Sequence, residues 1–155
     1  MATNAGPIVT IGAGRMGRGI ALAYAIQGQS AAIIDFKPRS PQQYEELRQS
    51  ISSELALTLR QLADLGMFAA EQIEPILGRI GIYALSEADA VLATAPIVYE
   101  GVPETPEAKR DALGRIGAAV SDDAIIASST STMLASDLAA LVYKPQRFMN
   151  AHWLN

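Results

Sequence analysis

The apolar run Pro7-Ile8-Val9-Thr10-Ile11 leads straight into Gly12-Ala13-Gly14-Arg15-Met16-Gly17, a G-x-G-x-x-G. A second apolar run, Ala31-Ala32-Ile33-Ile34, ends on Asp35. Glycines and an acid at this spacing suit the binding of a dinucleotide. Gly12 permits a tight turn from strand to helix, Gly14 lets the backbone approach a pyrophosphate, and Gly17 lets the helix pack closely on the strand. The phosphates would lie by Gly14, Arg15 and Met16 at the helix N-terminus, where free N–H groups and the positive dipole end favour an anion. Asp35 would accept hydrogen bonds from a ribose diol and repel a 2′-phosphate, with Lys37 and Arg39 near enough in sequence to soften that repulsion. NAD is therefore the expected cofactor. A glycine-rich turn alone could be an ordinary strand-to-helix connection; the flanking elements and the correctly spaced acid make this one specific.

Other polar residues could act beside a cofactor. His152 is the only histidine and directly follows an apolar stretch. An imidazole there could move a proton at neutral pH, although a lone histidine is as readily structural. Ser128-Ser129-Thr130-Ser131-Thr132 is a hydroxyl cluster suited either to a ligand or to capping the next helix. Glu104 stands near a helix start, where the dipole favours an acid in any case. Lys109, on the first turns of the same helix, is by default solvated.

These residues need elements to position them. Strands are expected over 7–11, 31–35, 80–84, 97–102, 124–128 and 147–151. The first helix should run over about 15–27, with Gly28 ending it. Ser40-Pro41-Gln42-Gln43 combines a cap, a first-turn proline and a glutamine three residues on, opening a long helix to about Leu65. Its Leu47, Ile51, Leu55, Leu59 and Leu62 form one apolar stripe, best read as core packing. Helices are also expected over 69–77, 87–93, from Thr105-Pro106-Glu107 to about Val120, and over 133–142. Strands alternating with helices imply an α/β fold: a doubly wound, mostly parallel Rossmann sheet with helices on both faces, forming a single dinucleotide-binding domain over 1–155. In such a sheet ligands bind beyond the carboxyl ends of the strands, where the glycine turn, Asp35, Glu104, the hydroxyl cluster, His152 and Asn155 all fall.

Composition narrows the classes. Of 155 residues 50% are hydrophobic and 18% charged, as in a globular domain. The net charge of −4, without a run of Lys or Arg, argues against a nucleic-acid partner. Zero cysteines exclude disulfides and thiolate metal sites, and no metal is expected. The N-terminus has no basic, apolar leader, and no apolar run is long enough to span a membrane; a cytoplasmic protein without membrane attachment is expected.

Taken together, Ile11 to Gly17, Val102-Pro103-Glu104 with Lys109, Ala127 to Ser131 and His152-Trp153-Leu154-Asn155 make the chain resemble the NAD-binding domain of the L-3-hydroxyacyl-CoA dehydrogenase family. The likeness runs from about residue 7 to the end, and covers about the first half of a typical member. It implies that Asp35 holds the adenosine ribose and that Glu104 and Lys109 line the cofactor toward its nicotinamide. It implies that Ser131 contacts substrate and cofactor, that His152 is the general acid/base, and that Asn155 hydrogen-bonds the reacting oxygen. The implied reaction transfers hydride between a 3-hydroxyacyl-CoA, or a related hydroxy acid, and NAD, as part of fatty acid metabolism. Ser129, Thr105, Trp153 and Leu154 depart from the usual family residues around the reacting centre. The long helix lacks the lysine that some members use toward the CoA phosphates; Arg48 and Arg60 are its only cations. The family's glutamate partner of the histidine, and the helical domain that closes the cleft and forms a homodimer, would lie beyond Asn155; the chain alone is expected to be inactive. A stand-alone NAD-binding or sensor module, or a crystallin-like structural use of the fold, is the non-enzymatic alternative. The related β-hydroxyacid dehydrogenases use a lysine base on a later helix, and the His152–Asn155 pair speaks against them.

Overall fold

Six short strands, β1 (Ile8–Ile11), β2 (Ala31–Ile34), β3 (Ile80–Tyr83), β4 (Ile97–Glu100), β5 (Ile125–Ser128) and β6 (Phe148–Asn150), form one sheet in the order β3-β2-β1-β4-β5-β6. The structure is a computed structural model and describes residues 6–153. Every pairing is parallel, so the expected mostly parallel sheet is wholly parallel among the described residues. The helices are α1 (Arg15–Ile26), α2 (Pro41–Asp64), α3 (Ile73–Leu77), α4 (Ala88–Leu92), α5 (Pro106–Ala119) and α6 (Ala135–Ala139). The strand order reverses between β1 and β4, which creates a crevice at their carboxyl ends.

The core divides by side-chain alternation along the strands. Val9, Ile11, Ala32 and Ile34 pack with Leu92 of α4 and Leu113 and Ile116 of α5. Ala31 and Ile33 face the other way, toward Ala21 and Ala25 of α1 and Ile51, Leu55 and Leu59 of α2. Leu47 packs against that second cluster, while Leu62 is only half-buried as the stripe drifts off the contact face.

Local chemistry sets the helix ends. Gln43 N donates to Ser40 Oγ at 3.2 Å and Ser40 N to Gln43 Oε1 at 3.0 Å, completing the capping box of α2. Thr105 Oγ1 accepts from Ala108 N at 3.3 Å to start α5. The helix expected over 69–77 is a 3-10 turn, Ala70–Gln72, followed by α3, and two further elements are shorter than their apolar patterns for a visible reason. The strand over 97–102 stops at Glu100, because Val102 N donates to the Glu100 carboxylate and not to a neighbouring strand. The helix over 133–142 shrinks to α6, because the N–H groups of Thr132 and Met133 are taken by the side chains of Glu104 and Thr130. Among the described residues no helix is long and apolar enough to cross a membrane, and no group of His, Cys, Asp and Glu side chains could hold a metal ion.

Candidate functional site

The glycine turn occupies the crevice end of β1. Gly12 has φ +102°, and a Cβ there would lie 2.9 Å from Gly101 O, so β1 and β4 leave the sheet in close contact. A Cβ on Gly17 would lie 2.1 Å from Gly12 O, which explains how α1 can start so close to the strand. Gly14, the N-cap of α1, has open space around its missing side chain and no capping side chain. The first amides of α1 are therefore left for an anion, with Arg15 exposed and Met16 half-buried beside them. Arg18 braces the turn: its Nε donates to Ala13 O at 2.8 Å and its Nη1 pairs with Glu54 of α2. The cleft in front of the turn holds about 650 Å³ and reaches from Gly12 past Asp35 to Arg39 on one side and Val102 on the other.

The difference between two of these glycines is testable. Gly14→Ala should fold with a melting temperature close to wild type, since the methyl group meets nothing, yet it should bind NADH at least about tenfold more weakly because the methyl group occupies the path of the pyrophosphate. Gly17→Ala should instead unfold the turn and lower the melting temperature. Thermal melts run beside NADH titrations distinguish the two effects.

Asp35 sits where the sequence places it, at the end of β2, but it is not a free acid. It is 3% exposed, and its Oδ2 accepts from Arg39 Nε in an ion pair. Oδ1 takes no hydrogen bond among the described residues and is not sealed from solvent, which leaves it open to a ribose hydroxyl. The softening expected from Arg39 is thus direct contact, and the like-charge repulsion of a 2′-phosphate is partly cancelled.

Around the end of β4 the structure departs further from expectation. Lys109 is 1% exposed, not solvated. A buried ammonium needs partners, and Lys109 Nζ reaches Glu100 Oε1 at 2.9 Å, Glu100 Oε2 at 3.1 Å, Glu104 Oε2 at 3.0 Å and Val102 O at 3.3 Å. Glu104 Oε1 in turn accepts from Thr130 Oγ1, from Ser131 N at 2.9 Å and from Thr132 N at 3.3 Å. Burial pushes the Glu104 carboxyl up, but the hydrogen bonds from Thr130, Lys109 and Ser131 outweigh it and hold the group down at about 2. The hydroxyl cluster is therefore more than a solvated loop, although Ser131 and Thr132 are exposed. It is clamped by Glu104, with the Ser131 side chain left exposed.

Glu100 went unnoticed in the sequence. It is fully buried, and accepts from Ser128 Oγ at 2.6 Å as well as from Lys109 and Val102. An acid closing an apolar strand, just as Asp35 closes β2, was the available signal. His152 lies on the same edge of the sheet. Ala151 N donates to Ser128 O at 2.9 Å, so the chain leaving β6 runs beside the start of the hydroxyl loop, and His152, the next residue, is exposed. Trp153 packs edge-on against Tyr99, with ring centroids 5.9 Å apart. Asn155 lies outside the described residues.

Residues 7–155 match the family described as 3-hydroxyacyl-CoA dehydrogenase, NAD binding domain. The chain belongs to this family. It is 31% identical over 145 residues to the fatty acid oxidation complex subunit alpha of Idiomarina loihiensis, covering 94% of this chain and 19% of that protein. It is 32% identical over 155 residues to the same subunit from Ectopseudomonas oleovorans, covering all of this chain and 20% of that one. Among solved structures, (S)-3-hydroxybutyryl-CoA dehydrogenase from Ralstonia eutropha superposes with TM-score 0.81 at 28% identity, over 96% of this chain and 49% of that one. A pyridine carboxylic acid 5-dehydrogenase, an NAD-dependent dismutase, superposes with TM-score 0.72 at 28% identity, over 96% and 44%. The chain thus spans about a fifth of the curated relatives and about half of the solved dehydrogenases. The crevice residues fit the cofactor of a 3-hydroxyacyl-CoA dehydrogenase NAD-binding domain: the space at Gly14, the uncapped amides of α1 and the open Oδ1 of Asp35 answer to pyrophosphate and ribose.

Proposed function

We propose that this domain serves an oxidoreductase that oxidises the secondary alcohol of a 3-hydroxyacyl-CoA or a related hydroxy acid. The observation that carries the reading is the convergence of His152, the Ser131 loop and the glycine turn on one edge of the sheet. NAD, when bound, supplies the hydride acceptor. His152 takes the alcohol proton as the carbon loses its hydride, leaving a ketone and an imidazolium. Ser131, its side chain free and its backbone held by Glu104, and Asn155 steady the partial charge developing on oxygen. Asp35 and the α1 amides hold the adenosine and pyrophosphate, with Arg15 and Met16 beside them; Glu104 and Lys109 shape the nicotinamide side. The full-length protein works as a cytoplasmic homodimer on a small-molecule substrate, without nucleic acid or membrane. The non-enzymatic alternative is not favoured by a family of dehydrogenases.

The test is NADH formation by the full-length protein with 3-hydroxybutyryl-CoA, longer 3-hydroxyacyl-CoAs and the free hydroxy acids. Turnover confined to the thioesters supports a CoA substrate, and turnover confined to the acids moves the substrate to the hydroxy-acid class. No turnover with either would overturn the reading.

Cofactor choice gives a further prediction. NADH should bind more tightly than NADPH, because Asp35 Oδ1 is an acceptor placed for a free ribose diol. Arg39→Ala, which removes the neutralising cation, should widen the gap, and Asp35→Ala should weaken NADH and narrow it. Parallel titrations of both cofactors check this; equal affinities in the wild type would contradict it.

A further inference from the structure

We infer that Glu100 is a positioning residue for the nicotinamide half of the cleft, acting through Lys109 and Ser128 on the two loops that wall it. The inference rests on the crevice being the NAD site. Glu100 pairs in register with Ile11 of β1 and Ser128 of β5, so it lies at the strand-order reversal, beneath the crevice. At 0% exposure it touches no ligand itself. Among the described residues, every hydrogen bond to its carboxylate comes from the crevice walls: Val102 N at 2.7 Å in the loop after β4, Ser128 Oγ at 2.6 Å before the hydroxyl loop, and Lys109 Nζ of α5.

From Lys109 the connection runs to Glu104, and from Glu104 to Thr130, Ser131 and Thr132. Ser128 Oγ also accepts from Thr130 N at 3.3 Å, so the hydroxyl loop is held from both ends of the network. In the same row β1 and β2 carry the apolar Ile11 and Ile34 and β5 carries the neutral Ser128, so the fold does not demand an acid here. A buried ion pair adds little stability over well-packed apolar residues. What it adds is directional fixation of two loops that otherwise share no backbone ladder. Asp35 and Arg39, at the end of β2 on the far side of β1, take no bond from the network. Loss of Glu100 should therefore damage one half of the cofactor site and spare the other.

The experiment compares NADH with ADP-ribose, which lacks the nicotinamide, on the full chain. Glu100→Gln keeps the shape but removes the charge facing Lys109. The double variant Glu100→Gln with Lys109→Met removes both charges and leaves no buried ion unpaired, so it remains informative where the single variant folds poorly. Both should bind NADH about tenfold more weakly or worse, the scale of losing one hydrogen bond to a charged group, while ADP-ribose changes by less than about twofold. The double variant should melt closer to wild type than the single one. Equal losses for both ligands, tracking the melting temperature, would show a structural role only and overturn the inference. Unchanged NADH affinity in a folded variant would overturn it as well. A wild-type chain that binds neither ligand would instead sink the assignment of the crevice as the NAD site, and this inference with it.

Discussion

Replacing His152 with alanine in the full-length protein is expected to cut turnover by a factor of about 10² to 10⁴, the usual contribution of a positioned acid/base, and to leave NADH affinity nearly unchanged. The split follows from where the groups lie. His152 is exposed just past the end of β6, whereas the residues proposed to hold adenosine and pyrophosphate stand at the ends of β1 and β2. His152 is the only histidine among these 155 residues, so within this domain no second imidazole can take over the proton. Because the side chain is exposed, its removal opens no cavity, and the melting temperature should stay within about 1 °C, as for surface substitutions generally. Steady-state kinetics with a cofactor titration and a melt decide the matter. Near-normal turnover would move proton transfer to another residue.

Replacing Lys109 with methionine should be among the most destabilising single changes available, costing about 3–5 kcal/mol. Methionine fills much of the same volume, so packing is not the main loss. The loss is electrostatic: Glu100, without solvent, would lose the one cation that pairs with it among the described residues. Glu104 would lose the same partner, although its partial exposure lets water compensate. For a domain of this size the cost corresponds to a drop in melting temperature of roughly 10 °C. Arg115→Ala, which breaks an exposed pair with Asp111, is the control and should cost well under about 1 kcal/mol. Chemical denaturation of the two variants measures both. A Lys109→Met chain as stable as the control would mean that Glu100 is neutralised by some other route.

Those two residues also mark how far the chain could be understood before its fold was known. The glycine turn, Asp35, the cap of α2 and the cap of α5 were legible because each depends on neighbours a few positions away: a turn needs its glycine, a cap its hydroxyl. The strands and helices followed from apolar periodicity, and their alternation implied the doubly wound sheet. Where periodicity and side-chain capture competed, as beyond Glu100 and before Ala135, the apolar pattern overran the true ends. Tertiary structure alone decided which polar side chains met. Glu100 and Ser128 are adjacent because β4 and β5 pair, and Lys109 is buried because α5 folds back over both. In sequence it is an ordinary lysine in the first turns of a helix. Arg39 lies within a turn's length of Asp35, yet only the path of the loop between β2 and α2 turns that nearness into an ion pair. The physical reason is common to all of these. The burial of a charge, and the partner that makes burial tolerable, are properties of the strands and helices around it, and those come from distant parts of the chain.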